Sequence, residues 1–228
     1  MFGYILNFLR DRSTRSVLGV LSTAELRALR CEAHYFGLED AMFPRVRQLM
    51  VCGGHDGSEA LNSTEVLRST TAVAAPVVEP GPPMRFRRNG CTPAMVDEQR
   101  VLVLGGFDGS SRLDTTEVLD LTSMSFSPGP RMSSPRNVCA AVLLSEQRLL
   151  VLGGHDGSSE LDTSEVLNLS TMAFSPGPRM TTRRRVCAVA MLDDQRLIVL
   201  GGHDGSLRLS TTEVLDLQTM TFAPGPEM

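Results

Sequence analysis

The chain has 228 residues, 42% of them hydrophobic and 21% charged, with a formal net charge of -4. That is enough apolar material for a core, and it excludes a disordered polymer. An acidic balance argues against a nucleic-acid partner, which demands a cationic face, and no apolar run reaches the roughly 18 residues of a membrane span. Five cysteines, an odd number with no CxxC pair, fit a reducing compartment, the cytoplasm or nucleus, better than a disulfide framework. All 22 basic residues are arginine.

Met1 to Leu9 is apolar, but Asn7 interrupts the run, Arg10 ends it and no basic segment precedes it, so no secretory signal is expected. Leu21, Glu25, Leu26, Leu29, Ala33 and Phe36 then recur at helical spacing. Ser22 with Glu25 makes a capping-box pattern, and Gly37 is the expected stop. A short helical segment is predicted here.

From residue 46 onward the chain repeats. Pro-Gly-Pro begins at Pro80, Pro128, Pro176 and Pro224, a constant step of 48, and Gly-Gly begins at Gly53, Gly105, Gly153 and Gly201, with steps of 52, 48 and 48. The first unit therefore carries four extra residues, which fall within Arg68 to Glu79. Units run over about 46–84, 85–132, 133–180 and 181–228. In the last one, four strands are expected: VCAVAML from Val186, RLIVLGG from Arg196, TTEVLDL from Thr211 and TFAPGP from Thr221. LDDQR and the Asp204-Gly205 pair supply the turns.

The first unit lacks an equivalent of the Val186 strand, leaving 15 strands in all. The expected fold is mainly β: a partial or four-bladed β-propeller with an incomplete first blade, either an open arc or a strained small ring. Each glycine pair, Gly53-Gly54, Gly105-Gly106, Gly153-Gly154 and Gly201-Gly202, is expected to admit close backbone approach and left-handed conformations where the second strand ends.

Antiparallel geometry sends the loop after Gly-Gly and the segment entering the first strand to one upper face. That face is a candidate protein-binding surface. It collects His55, Phe107, His155 and His203 from the former, and Arg88, Arg136 and Arg184 with Asn89, Asn137 and Arg185 from the latter. Positions separated by a whole blade lie too far apart to share a metal ion, so neither metal nor cofactor is expected. The arginines have two readings. One is an internal ladder with Glu65, Glu117, Glu165 and Glu213 or with backbone carbonyls; the other is recognition of an acidic peptide, with Arg183-Arg184-Arg185 the most cationic patch. Cys91, Cys139 and Cys187, and the series Met84, Met132, Met180 and Met228, are expected to be packing residues.

Pro135-Arg136, Gly153-Gly154, Val166 with Asn168, Phe174 and Met180, with their counterparts one period away, resemble the kelch repeat. The resemblance spans about 46–228. It departs from the family where tyrosine and tryptophan are usual: here stand Leu67, Leu119, Leu167 and Leu215, then Val78, Phe126, Phe174 and Phe222. Residues 1–41, FGYILNFLRD followed by LSTAELRALRCEAHYFGLEDAM, resemble the C-terminal part of a BTB domain of the potassium-channel tetramerisation type.

Together the two resemblances imply a non-enzymatic interaction scaffold. Its propeller would hold a protein partner through the upper loops, while the BTB part would self-associate or join a cullin ubiquitin ligase as the family does. Two other classes compete with this expectation. One is a truncated fragment without function of its own. The other is a carbohydrate-active propeller enzyme, disfavoured because the repeat acids are the same in every unit and the only tyrosines, Tyr4 and Tyr35, lie outside the repeats.

Overall fold

A computed structural model describes residues 48–68 and 77–228. The chain divides into two compact units, Met1–Leu49 with Arg68–Val77, and Met50–Leu67 with Val78–Met228. The predicted N-terminal helix and the BTB resemblance of residues 1–41 lie outside the described residues.

Within the described residues there are 15 strands: β1 (Gln48–Cys52), β2 (Thr64–Arg68), β3 (Val77–Pro80), β4 (Thr92–Met95), β5 (Arg100–Leu104), β6 (Thr116–Asp120), β7 (Ser125–Pro128), β8 (Ala140–Ser145), β9 (Arg148–Leu152), β10 (Ser164–Asn168), β11 (Ala173–Pro176), β12 (Ala188–Asp193), β13 (Arg196–Leu200), β14 (Thr212–Asp216) and β15 (Thr221–Pro224). They form four sheets in simple meander order: a three-stranded β1-β2-β3, then β4 to β7, β8 to β11 and β12 to β15 with four strands each. The first strands β4, β8 and β12 neighbour one another, so the sheets converge on their opening strands.

Central strands of the complete sheets read RVLVL, RLLVL and RLIVL, and they are buried along nearly their whole length. Alternate side chains point to opposite faces of a strand, so such a run is stable only if both faces are covered. They are. Leu102 and Leu104 pack forward with Leu149 and Val151 of the next sheet, while Val101 and Val103 pack backward with Met84, Met50 and Cys52. The core is therefore a series of layers between sheets. Met132 and Met180 fill the following layers, as the repeat predicts; Met228 has the same backbone bond to Ser210 but is 66% exposed, because no following sheet among the described residues covers it.

The predicted strands of the last unit are found with one correction at the start. β12 begins at Ala188, two residues later than the apolar run suggests, because Val186 has φ 53° and donates its N–H at 3.0 Å to the Val138 carbonyl of the preceding sheet. Val138 repeats this at φ 50° with the Gly90 carbonyl. A β-branched residue in the left-handed region is strained, and the intersheet bond holds it there.

The glycine pair behaves as expected. Gly154 has φ +94°, and a Cβ there would stand 2.9 Å from the Asn137 carbonyl oxygen and 3.1 Å from the Cys139 Cβ.

Candidate interaction surface

The segment entering each first strand runs beside the loop that follows Gly-Gly. Asn89 bridges to Phe107, Asn137 to His155 and Arg185 to His203, so the two segments do share one edge of each sheet. They differ in what they present.

Arg88, Arg136 and Arg184 do not face outward: each is fully buried. Their backbones belong to the preceding sheet, as the Arg136 N–H donates to the Leu113 carbonyl and its own carbonyl accepts from Gly106. Their guanidinium groups belong to the following one. Arg136 donates to the Glu165 carboxylate at 3.0 Å, to the carbonyls of Gly153 at 2.9 Å and Thr163 at 3.0 Å, and to the Thr163 hydroxyl at 3.2 Å. Arg88 repeats the set with Glu117, Gly105 and Thr115, and Arg184 with Glu213, Gly201 and Thr211.

The other carboxylate oxygen of each acid accepts a backbone N–H, from Arg85, Ser133 or Thr181. A buried ion pair is tolerable only when its remaining donors and acceptors are satisfied, and these are. The internal-ladder expectation is thus what the geometry shows for three units. Glu65 departs from it: it is exposed, and among the described residues no arginine pairs with it.

The loop residues are held from within. Asp56 Oδ1 accepts the backbone N–H groups of Ser58 and Glu59, and Asp108, Asp156 and Asp204 do the same in their loops. The Glu59 and Ser58 N–H groups hold the Asp56 carboxyl down at about 2. At His55, His155 and His203, Nδ1 accepts the N–H of the glycine two residues on, at 2.9 Å in each. That leaves Nε2 carrying the proton and fixes the ring. Among the described residues no group of side chains is placed to hold a metal ion.

On this stiff frame the outward residues vary from sheet to sheet. The position after Gly-Gly is His55, Phe107, His155 or His203, and the position five further on is Ala60, Arg112, Glu160 or Arg208, of which Arg112 and Arg208 are exposed, Glu160 is half-buried and Ala60 is buried. Arg112 stacks on the Phe107 ring at 5.0 Å, Arg185 pairs with Glu160 at 3.2 Å, and Arg87 pairs with Glu59. Asn137 spends its amide on the Asn89 carbonyl at 2.7 Å, an intersheet bond. Of the Arg183-Arg184-Arg185 patch, Arg184 is internal and Arg185 is paired, leaving Arg183 exposed.

Arg112, Glu160 and Arg208 were not legible as surface determinants from spacing alone. Their signal is variation at one repeat position directly before an invariant leucine, Leu61, Leu113, Leu161 or Leu209. Thr64, Thr116, Ser164 and Thr212 were missed as well. Each buried hydroxyl donates to the carbonyl of the second proline of Pro-Gly-Pro, and the signal was a hydroxyl residue before every repeat glutamate.

Burial favours the protonated thiol at each repeat cysteine. Burial pushes Cys91 up to about 12 and Cys187 to about 11, and Cys139 is raised for the same reason. Cys52, outside the repeat spacing, is raised to about 11 by burial as well.

Among known proteins, residues 87–133 and 184–228 match the kelch motif. No curated protein matches the chain. The matched stretches are the second and fourth sheets with their entering segments, and the third sheet repeats their buried arginine, acid and glycine pair in the same places. Sheet order, spacing and motif agree: residues 87–133 and 184–228 are kelch motifs, and the four antiparallel sheets are consistent with a partial kelch β-propeller.

Proposed function

We propose that this chain is a non-enzymatic scaffold that binds a protein partner through the upper loops of its blades. Kelch repeats typically mediate protein interactions. The observation that carries the reading here is the division of labour between equivalent positions. Arg88, Arg136 and Arg184 with Glu117, Glu165 and Glu213 are identical and buried, whereas the position that holds Ala60, Arg112, Glu160 or Arg208 differs from sheet to sheet, with Arg112 and Arg208 exposed. Loops that vary on a rigid support are what partner selection requires. Among the described residues the repeat acids Glu117, Glu165 and Glu213 are engaged with arginine, which favours binding over catalysis by those acids.

Arg112, Arg183 and Arg208 are exposed and engage no carboxylate in a hydrogen bond or ion pair among the described residues, so an acidic segment is the partner chemistry they favour. Selection of a random displayed peptide library on the purified chain tests this. Acidic peptides should be enriched, and the combined Arg112→Glu, Arg183→Glu and Arg208→Glu variant should lose them at an unchanged melting temperature. Enrichment without acidic bias, or binding that survives the reversal, would reject the surface.

The finer reading is that the chain is the substrate-recognition part of a cullin ubiquitin ligase adaptor, self-associating or meeting its cullin through residues 1–41. It is supported by the BTB resemblance of that segment and by sequence alone.

A further inference from the structure

The first sheet differs from the others in one coherent respect. Among the described residues it has no opening strand, so β1 has no neighbour there on the side where β5, β9 and β13 are paired with β4, β8 and β12. A Cβ on Gly54 would meet nothing within 4 Å, while at Gly106, Gly154 and Gly202 it would meet the Cβ of Cys91, Cys139 or Cys187 on the incoming strand. Glu65 is exposed where Glu117, Glu165 and Glu213 are buried against arginine.

The three complete sheets show what belongs in such a gap. In each, a segment delivers an arginine to four acceptors, the carboxylate, the carbonyl of the first glycine, and the carbonyl and hydroxyl of the residue ten past it. Three residues after the arginine a small side chain lies over the second glycine, and an antiparallel strand follows. Sheet one keeps the same acceptors: Glu65, the Gly53 carbonyl, and the carbonyl and hydroxyl of Ser63.

We infer that the open edge of β1 is a second binding site, which takes an extended, arginine-bearing strand donated in trans by a protein partner. The strand lies antiparallel to β1 and sets its guanidinium on Glu65. Main-chain pairing supplies affinity, as in other cases of strand addition, and the carboxylate with its carbonyls selects arginine. The complementary charge names the chemistry. A second copy of this chain is the poorer donor, because its described strands of this type are already paired in their own sheets, with their arginines fully buried.

The site is separate from the upper loops and does not rest on their role. The probe is a fluorescent peptide of residues 133–145, SSPRNVCAAVLLS, titrated by anisotropy into the full chain under reducing conditions. Saturable binding is expected, weakened at least tenfold by Glu65→Gln in the chain and at least tenfold by Arg136→Ala in the peptide. The variant reversed at Arg112, Arg183 and Arg208 should bind the peptide normally, which separates this site from the loop surface. Absence of saturable binding, or equal binding by either single variant, overturns the inference. So does self-association of the chain, seen by light scattering, that Glu65→Gln abolishes, since a second copy would then be the occupant.

Discussion

The first and third sheets carry nearly the same strands and the same repeat acid, yet one holds its glutamate in the interior and the other leaves it in water. Glu165 and Glu65 occupy equivalent positions in TSEVLNL and STEVLRS. What separates them is a residue from elsewhere in the chain, Arg136, and the strand that follows it. The burial of a charged group in this fold is thus decided by the segment arriving from the preceding sheet and not by the strand in which the group sits.

The largest test of that contrast removes the acid. Glu165→Ala leaves Arg136 buried and unpaired and should cost about 3–5 kcal/mol, whereas Glu65→Ala should stay within about 0.5 kcal/mol. Denaturant unfolding of both variants measures the difference, and equal losses would refute it.

A smaller effect is expected at the glycine pair. Gly154→Val meets the Asn137 carbonyl and the Cys139 side chain in addition to its unfavourable φ, and should lose about 3 kcal/mol. Gly54→Val meets no neighbour and bears the backbone strain alone, about 1–2 kcal/mol. An unchanged melting temperature for Gly154→Val would count against the packing of adjacent sheets described above.

The smallest effect is a gain. Val186 is strained at φ 53° and its side chain is 66% exposed, so Val186→Gly relieves strain while surrendering little burial. Stability should rise by about 1 kcal/mol, read as a higher denaturation midpoint with an unchanged slope.

Much of this was legible in the residues. A constant step of 48 places the strands, and the expectation that the first unit has no opening strand comes from a helical pattern that runs almost directly into Gln48, a segment outside the described residues. The arginine and glutamate series were also visible. Their partnership was one of two open readings, because spacing cannot say which way a long side chain turns at the boundary between two sheets. Val138 and Val186 were invisible for a related reason. Their left-handed backbones are imposed by carbonyls of the neighbouring sheet, and an apolar β-branched residue beside a strand reads locally as more strand. The glutamate outlier, Glu65, needed the structure, since its own strand gives no hint of what fails to arrive.

The offset of each buried arginine, whose main chain serves one sheet and whose side chain serves the next, bears on how such arrays change length. A unit spliced in or cut out at the 48-residue period brings one donor for its successor and one receptacle for its predecessor, so both new junctions come out chemically complete. Gene duplication can therefore lengthen or shorten the series without inventing a boundary.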